Sequence, residues 1–261
     1  MGVNFLRNQH LTSSRLAQAL VRTVYPNGSI CWVRRGPLKG LQFKVSPGMG
    51  FTYAWGIGVE QWDFQKLVQP GMCVYDIGAN CGQSTLSLAK MVGITGRVVA
   101  FEPVEQLFAN LDFNLRLNPS LKVIPVSAAA SSHNGRLDFL FDSELSTQGH
   151  LALVEPDHVL PNAKRISVRA IRLDDYMSEN WPVPQFMKID VEGGAGSVLD
   201  GAQTLIGLHR PTICIELHGP DEQQAVRELL TKYGYKAQTL SGAAIPDPTA
   251  GWFSPLVCKP S

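Results

Sequence analysis

The chain lacks an excess of either charge: its 261 residues hold 23 Lys and Arg against 22 Asp and Glu, a formal net charge of +1. A protein whose main task is to bind nucleic-acid phosphates needs a concentrated basic face. The charge balance therefore argues against nucleic acid as a partner. Hydrophobic residues make up 44% of the chain, and this content excludes global disorder.

Cysteine is also scarce, and long apolar runs are missing. Five cysteines, an odd number with no Cys-x-x-Cys pair, exclude a disulfide scaffold and a zinc ribbon. No run reaches the roughly 18 apolar residues of a membrane span. The N-terminus has no apolar core behind its basic residues, so no signal peptide is expected. These features together predict a protein of a reducing compartment, the cytoplasm.

The first part of the chain differs from the rest. Apolar clusters broken by glycine and proline predict hairpin strands within 29–45, and 59–68 has a helical pattern. We expect residues 1–70 to form an extension against a domain of residues 71–261. The Gly-rich, aromatic-bearing segment 55–60 is typical of a loop that closes over a ligand.

From residue 72 onward, strand-like and helix-like segments alternate. Strands are predicted at 72–77, 98–101, 123–127, 137–141, 166–173, 186–189, 213–217, 235–240 and 252–258, and helices at 83–92, 104–117, 195–208 and 222–233. Repeated strand–helix units fold into a parallel sheet with helices on both faces. The pattern predicts an α/β fold with a Rossmann-like, doubly wound, mostly parallel sheet.

A glycine turn follows the first of these strands. It runs from Asp76 through Gly78, Asn80 and Gly82 into the helix at 83–92. Such a turn lets a ligand approach the backbone, and the helix N-terminus offers N–H groups to an anion. A dinucleotide fingerprint would have glycine at position 80, so Asn80 argues against an NAD-dependent oxidoreductase. Glu102 ends the next strand, where an acid binds the ribose of a nucleoside cofactor.

These residues resemble the first motif of class I S-adenosylmethionine-dependent methyltransferases, and the chain is similar to the FkbM-type family within them. The family's pattern is visible at 55–60, 74–80, 101–103, 172–175, 188–193, 201–202, 210–211 and 215–218. The resemblance implies S-adenosylmethionine as the cofactor. It also implies that Asp76, Gly78, Asn80 and Glu102 line the cofactor site, and the glycine turn places Gly82 with them.

Three further polar residues follow later strands of the predicted sheet: Asp190, Glu192 and His218. Ligands of such sheets bind at the carboxyl ends of the strands, so these residues should share the edge with the glycine turn. Methyl transfer from a sulfonium needs alignment and exclusion of water, and a hydroxyl acceptor must also lose its proton. We expect metal-independent catalysis, with His218 or Asp190 taking that proton. A magnesium site built from the same residues is the alternative route.

A purely structural role is also open for each of these residues. Asp190 or Glu192 would cap the helix that begins near Ala195, and His218 would be a satisfied strand-end histidine. Lys188 is expected to pair with a buried carboxylate. One departure from the family's pattern is Ala195 itself, because the family usually has glutamate there.

The resemblance implies an O-methyltransferase acting on a hydroxyl of a sugar, a glycan or a secondary metabolite. No Asn/Asp-Pro-Pro-Tyr/Phe segment and no Pro-Cys pair occurs, which argues against methylation of nucleic-acid bases. A non-catalytic cofactor-binding or scaffold protein on a methyltransferase fold stays open because of Ala195. An NAD-dependent oxidoreductase is the weaker alternative.

Overall fold

The computed structural model describes residues 26, 28–45, 64–141, 149–151, 164–177, 181–191, 193–247 and 255–261, with only the backbone at 149–151. The loop predicted to close at 55–60 and the predicted catalytic residue Glu192 lie outside these residues. The division into an extension of residues 1–70 and a domain of residues 71–261 stays a prediction.

Strands and helices alternate along most of the described chain. In order, the elements are β1 (Ile30–Trp32), β2 (Gln42–Lys44), β3 (Cys73–Ile77), α1 (Gln83–Val92), β4 (Arg97–Phe101), α2 (Glu105–Leu117), β5 (Val123–Val126), β6 (Ala129–Ser131), β7 (Gly135–Phe141), β8 (Gly149–Leu151), β9 (Lys164–Arg172), α3 (Leu173–Met177), β10 (Phe186–Ile189), α4 (Ala195–Asp200), α5 (Gln203–His209), β11 (Thr212–Ile215), α6 (Pro220–Tyr233), β12 (Tyr235–Gln238), β13 (Ala244–Ile245) and β14 (Leu256–Pro260). None of the described helices has the length and apolar character of a membrane span.

The main sheet has eight described strands in the order β13-β12-β14-β11-β10-β3-β4-β5. Strands β11, β10, β3, β4 and β5 run parallel, and β14, β12 and β13 add antiparallel pairs at one edge. From β3 the next strands of the sheet, β4 and β5, lie towards one edge, and from β10 the next strand, β11, lies towards the other. The carboxyl ends of these two neighbours therefore flank the crevice where doubly wound sheets bind ligands. The predicted Rossmann-like fold is confirmed.

Both faces of this sheet are covered. Side chains on one face of the sheet, such as Val74 and Phe186, pack against α1 and against Phe64. Side chains on the opposite face, such as Tyr75 and Met187, pack against α4, α5 and α6. Central parallel strands buried on both faces need nearly continuous apolar runs. Charged residues inside such runs are therefore exceptional.

The N-terminal hairpin predicted within 29–45 is present as the antiparallel pair β1–β2. Its inner side chains, including Leu38 and Phe43, are buried against Leu86 of α1. Asn114 of α2 and Asn118, the residue after α2, bind β2: Asn118 Oδ1 accepts from the Gln42 N–H at 3.0 Å, and Asn114 Oδ1 accepts from the Lys44 N–H at 2.8 Å.

The structure corrects the helix predicted at 59–68 in its described part. Residues 64–68 form a turn, in which the carbonyl of Phe64 accepts hydrogen bonds from the N–H groups of Leu67 and Val68. The apolar residues that suggested a helix are buried against the sheet, since all three belong to the cluster on the α1 face.

A second sheet, with the order β6-β9-β7-β8, was not predicted as a separate layer. It explains a further correction, because the helix predicted at 195–208 is divided into α4 and α5 around Gly201. A Cβ at Gly201 would lie 1.9 Å from the carbonyl oxygen of Ser131 in β6. The contact of Gly201 with β6 thus accounts for the break between α4 and α5, which the spacing of apolar residues in the sequence does not reveal.

We predict that Gly201→Ala lowers the free energy of unfolding by about 1–3 kcal/mol, because the methyl group overlaps backbone that must move. Urea unfolding followed by circular dichroism measures the change. Gly196→Ala in α4 is the matched control, since its Cβ would meet only Ala225 Cβ at 3.5 Å. Equal loss of stability in both variants would contradict the proposed contact.

Candidate active site

The glycine turn between β3 and α1 is built on left-handed backbone. Gly78, Asn80 and Gly82 have φ values of 83°, 52° and 96°. A Cβ at Gly78 would also lie 1.9 Å from the carbonyl oxygen of Asp190, so only glycine lets this turn touch the end of β10. Asn80 tolerates its conformation through a local hydrogen bond, in which its Oδ1 accepts from the Cys81 N–H at 2.7 Å. The turn leads directly into α1, as predicted.

Asp76 stabilises the glycine turn through hydrogen bonds to the helix that follows it. Its side chain is fully buried, and Oδ2 accepts hydrogen bonds from the hydroxyls of Ser84 at 2.9 Å and Thr85 at 2.6 Å. Both hydroxyls belong to the first turn of α1. The carboxylate thus ties β3 to the start of the helix. A direct contact of Asp76 with the cofactor stays a prediction.

Lys188 is a buried cation inside β10. Its Nζ lies 3.2 Å from Asp76 Oδ1 and 3.3 Å from Asp190 Oδ2, and it donates to the carbonyl of Gly78 at 3.1 Å. The predicted pairing of Lys188 with a buried carboxylate is confirmed. One ammonium group therefore connects the support of the glycine turn with the first residue after β10.

Glu102 follows β4 and is nearly fully buried. Its Oε2 accepts from the Asn80 N–H at 2.8 Å and its Oε1 accepts from the Val104 N–H at 2.9 Å. Burial raises the pKa of Glu102 to about 7, although the two backbone hydrogen bonds and Lys188 oppose that effect. Sequence reasoning located this acid at the strand end but did not reveal that it also braces the glycine turn.

Asp190 and His218 meet at the ends of β10 and β11. Asp190 Oδ1 lies 3.4 Å from His218 Nε2, and the two side chains remain 32% and 22% exposed. Burial alone would raise the pKa of Asp190, but the charge of Lys188 and the contact with His218 outweigh it and lower the pKa to about 2. Asp190 is therefore ionised at neutral pH and accessible from the crevice.

Glu216 joins this pair as a residue that sequence reasoning did not assign to the site. In the described part of the chain, Asp190, Glu216 and His218 each offer a ligand atom, and these atoms lie within 4.8 Å of one another. Two carboxylates and an imidazole suit a divalent metal ion. The position of Glu216, two residues before His218 at the end of a strand, was the available signal.

Asp190 does not cap α4. Its two carboxylate oxygens contact Lys188 and His218, whereas the N–H of Ala195 at the start of α4 donates to Glu222 Oε1 at 3.0 Å. The structure thus brings Asp76, the glycine turn, Glu102, Asp190 and His218 to one end of the sheet.

A model of the methyltransferase FkbM domain matches residues 76–237 of the chain. The chain belongs to the FkbM methyltransferase family. This assignment confirms the predicted family.

Three solved structures are similar to the chain. The FkbM methyltransferase of Methylobacillus flagellatus is 19% identical, with a TM-score of 0.50, over 72% of this chain and 43% of that one. The present chain therefore matches less than half of that protein's length. A putative rRNA methylase of Clostridium thermocellum is 16% identical, with a TM-score of 0.45, over 76% of this chain and 92% of that one. Aeropyrum pernix fibrillarin with bound S-adenosyl-L-methionine is 10% identical, with a TM-score of 0.43, over 73% of this chain and 66% of that one. No curated protein sequence matches the chain.

Part of the FkbM pattern serves the fold. Asp174 accepts hydrogen bonds from the N–H groups of Thr204 at 3.0 Å and Leu205 at 2.9 Å, in the first turn of α5. Arg172 lies 2.9 Å from the same carboxylate. Asp174 is therefore a helix cap supplied from a distant segment.

We predict that Lys188→Met lowers the free energy of unfolding by about 3–5 kcal/mol, since it leaves the buried charge of Asp76 without its cation. Chemical unfolding measures the loss. Lys232→Met, at an exposed lysine of α6, is the control and should change stability by less than about 0.5 kcal/mol. The double variant with Asp76→Asn should lose less than the sum of the two single losses; strict additivity would argue against the pairing.

Proposed function

We propose that this FkbM-family chain transfers the methyl group of S-adenosylmethionine to a hydroxyl of a small molecule or a glycan, with a sugar or a secondary metabolite as the acceptor class. The observation that supports O-methylation is the Asp190–His218 pair, 3.4 Å apart. It stands at the same end of the sheet as the glycine turn and is linked to it through Lys188. A proton acceptor beside a cofactor site is what a hydroxyl substrate requires.

In this proposal the cofactor lies over the turn formed by Gly78, Asn80 and Gly82. The backbone there can be approached closely, and the N-terminus of α1 is adjacent. Glu102 accepts hydrogen bonds from the ribose hydroxyls, because each carboxylate oxygen has lone pairs beyond those used by the backbone. Asp76, which is predicted to contact the cofactor, also holds this turn against the start of α1.

S-adenosylmethionine supplies an already activated methyl group, so the protein's task is alignment and removal of the acceptor's proton. His218 or Asp190 takes that proton as the oxygen attacks. When His218 takes it, the ionised Asp190 stabilises the resulting imidazolium, as a carboxylate does in a catalytic triad.

A divalent ion held by Asp190, Glu216 and His218 would acidify the hydroxyl instead. We favour the metal-independent route because Lys188 and His218 already contact both oxygens of Asp190. The absence of nucleic acid among the partners and a cytoplasmic location remain predictions from composition.

Transfer of labelled methyl groups to a panel of sugar, glycan and polyketide-like hydroxyl acceptors tests this function. His218→Ala and Asp190→Asn should slow transfer by roughly 10²–10⁴-fold, the effect of losing a general base. Affinity for the demethylated cofactor should be kept, and His209→Ala, at an exposed histidine of α5, should change neither quantity.

Two outcomes would contradict parts of the proposal. Cofactor binding without transfer to any acceptor would support the scaffold alternative. Activity that is abolished by a chelator and restored by magnesium would replace the general base with a metal ion.

The pKa of Glu102 predicts a pH-dependent cofactor affinity. The folded-state pKa of about 7 lies above the ordinary 4.5, so the native protein keeps this proton until pH rises through 7. Since the ribose hydroxyls need an acceptor, the dissociation constant of the demethylated cofactor should fall by about tenfold between pH 6 and pH 8. Calorimetry in buffers of different ionisation enthalpy should detect proton release at pH 6.

Glu102→Gln is the control for this effect. It should weaken binding at pH 8 by about 1.5–3 kcal/mol and remove the pH dependence. An unchanged dissociation constant in the folded variant would place Glu102 outside the cofactor site.

A further inference from the structure

Glu222 uses both oxygens of a buried carboxylate to join the start of α4 to the loop after β11. It lies in the first turn of α6 and is 3% exposed. Oε1 accepts from the N–H of Ala195 at 3.0 Å, and Oε2 accepts from the N–H of His218. One side chain therefore holds both the start of α4 and the loop after β11.

This arrangement departs from the ordinary role of a glutamate in a first helical turn. In a capping box, such a glutamate reaches back to the N–H of the residue that caps its own helix. The residue in that position here is Gly219. Glu222 reaches one residue further, to His218, and its second oxygen reaches the start of α4. The carboxylate is thus directed at the segment that carries a proposed proton acceptor.

The partner of His218 is anchored separately. The N–H of Asp190 donates to the carbonyl of Ile77 at 3.0 Å, and Lys188 lies 3.3 Å from its carboxylate. Asp190 is therefore held by β3 and β10, whereas the backbone of His218 is held by α6. The distance between the two side chains depends on both anchors.

We propose that Glu222 is a positioning residue for the proposed methyl transfer: its carboxylate fixes the backbone of His218 and so keeps Nε2 beside Asp190 Oδ1. The inference rests on the proposed function of the Asp190–His218 pair.

The ring nitrogens of His218 report on this positioning without any acceptor. We would record their ¹⁵N chemical shifts in cofactor-free, chelator-treated protein, with His218→Ala assigning the signals. Asp190→Asn should shift them in the wild-type background. In the Glu222→Ala background the same substitution should produce less than about half of that shift, because the two residues are no longer held together.

Asp221→Asn is the matched control, since it removes an exposed carboxylate from the same helical turn and should leave the full Asp190→Asn shift. Glu222→Gln keeps the side-chain shape and provides the test if Glu222→Ala does not fold; it should also reduce the shift. An undiminished Asp190→Asn shift in either Glu222 variant would overturn the proposal.

Transfer rates provide the second readout once an acceptor is found. Glu222→Ala should lower kcat by at least about tenfold with the KM for S-adenosylmethionine unchanged, and it should have no further effect in His218→Ala protein. An equal loss in both backgrounds would overturn positioning through His218. The Asp190→Asn change in the His218 ¹⁵N shifts could be smaller in the Glu222 variants while the wild-type protein transfers no methyl group. That result would refute the proposed function and leave the geometric role of Glu222 intact.

Discussion

The arrangement of the site depends on one buried ammonium group. Lys188 Nζ stands between Asp76 and Asp190 and donates to the carbonyl of Gly78. Removing charges from water is costly, and the cost is offset only when ions are paired and hydrogen-bonded. Here the pairing joins a residue of β3, a residue after β10 and the glycine turn. The charge network therefore makes the glycine turn and the proposed proton acceptor parts of one connected unit.

Close backbone contact reinforces that unit. Gly78 lies against the carbonyl of Asp190 at a distance that excludes any side chain, and Glu102 binds the N–H of Asn80 from the next strand. A change of conformation in the turn would consequently be felt at Asp190. This coupling suits methyl transfer, in which the acceptor oxygen and the donor must be aligned closely.

The family's sequence pattern combines chemical and architectural positions. Asp174 caps a helix, and Gly201 allows close contact with the backbone of β6. A shared motif therefore identifies the family without showing which of its residues touch the ligands.

Local chemistry in the sequence determined the alternation of elements, the helix at 83–92, the strand at 186–189 and the edge at which Asp76, Glu102, Asp190 and His218 should meet. These features follow from apolar periodicity, from glycine at a strand–helix turn and from the common direction of parallel strands. Local spacing also predicted a helix at 59–68 and an unbroken one at 195–208, and both predictions were wrong in the described residues.

Contacts between residues far apart in the chain decided the rest. The break at Gly201 comes from β6, the bracing by Glu102 comes from the backbone of Asn80, and the role of Glu222 requires α4 and α6 to meet. A hydrogen bond across 22 or 27 residues leaves no periodic trace. Only the folded chain shows which buried carboxylate faces which N–H group, and that pairing determines the geometry of the site.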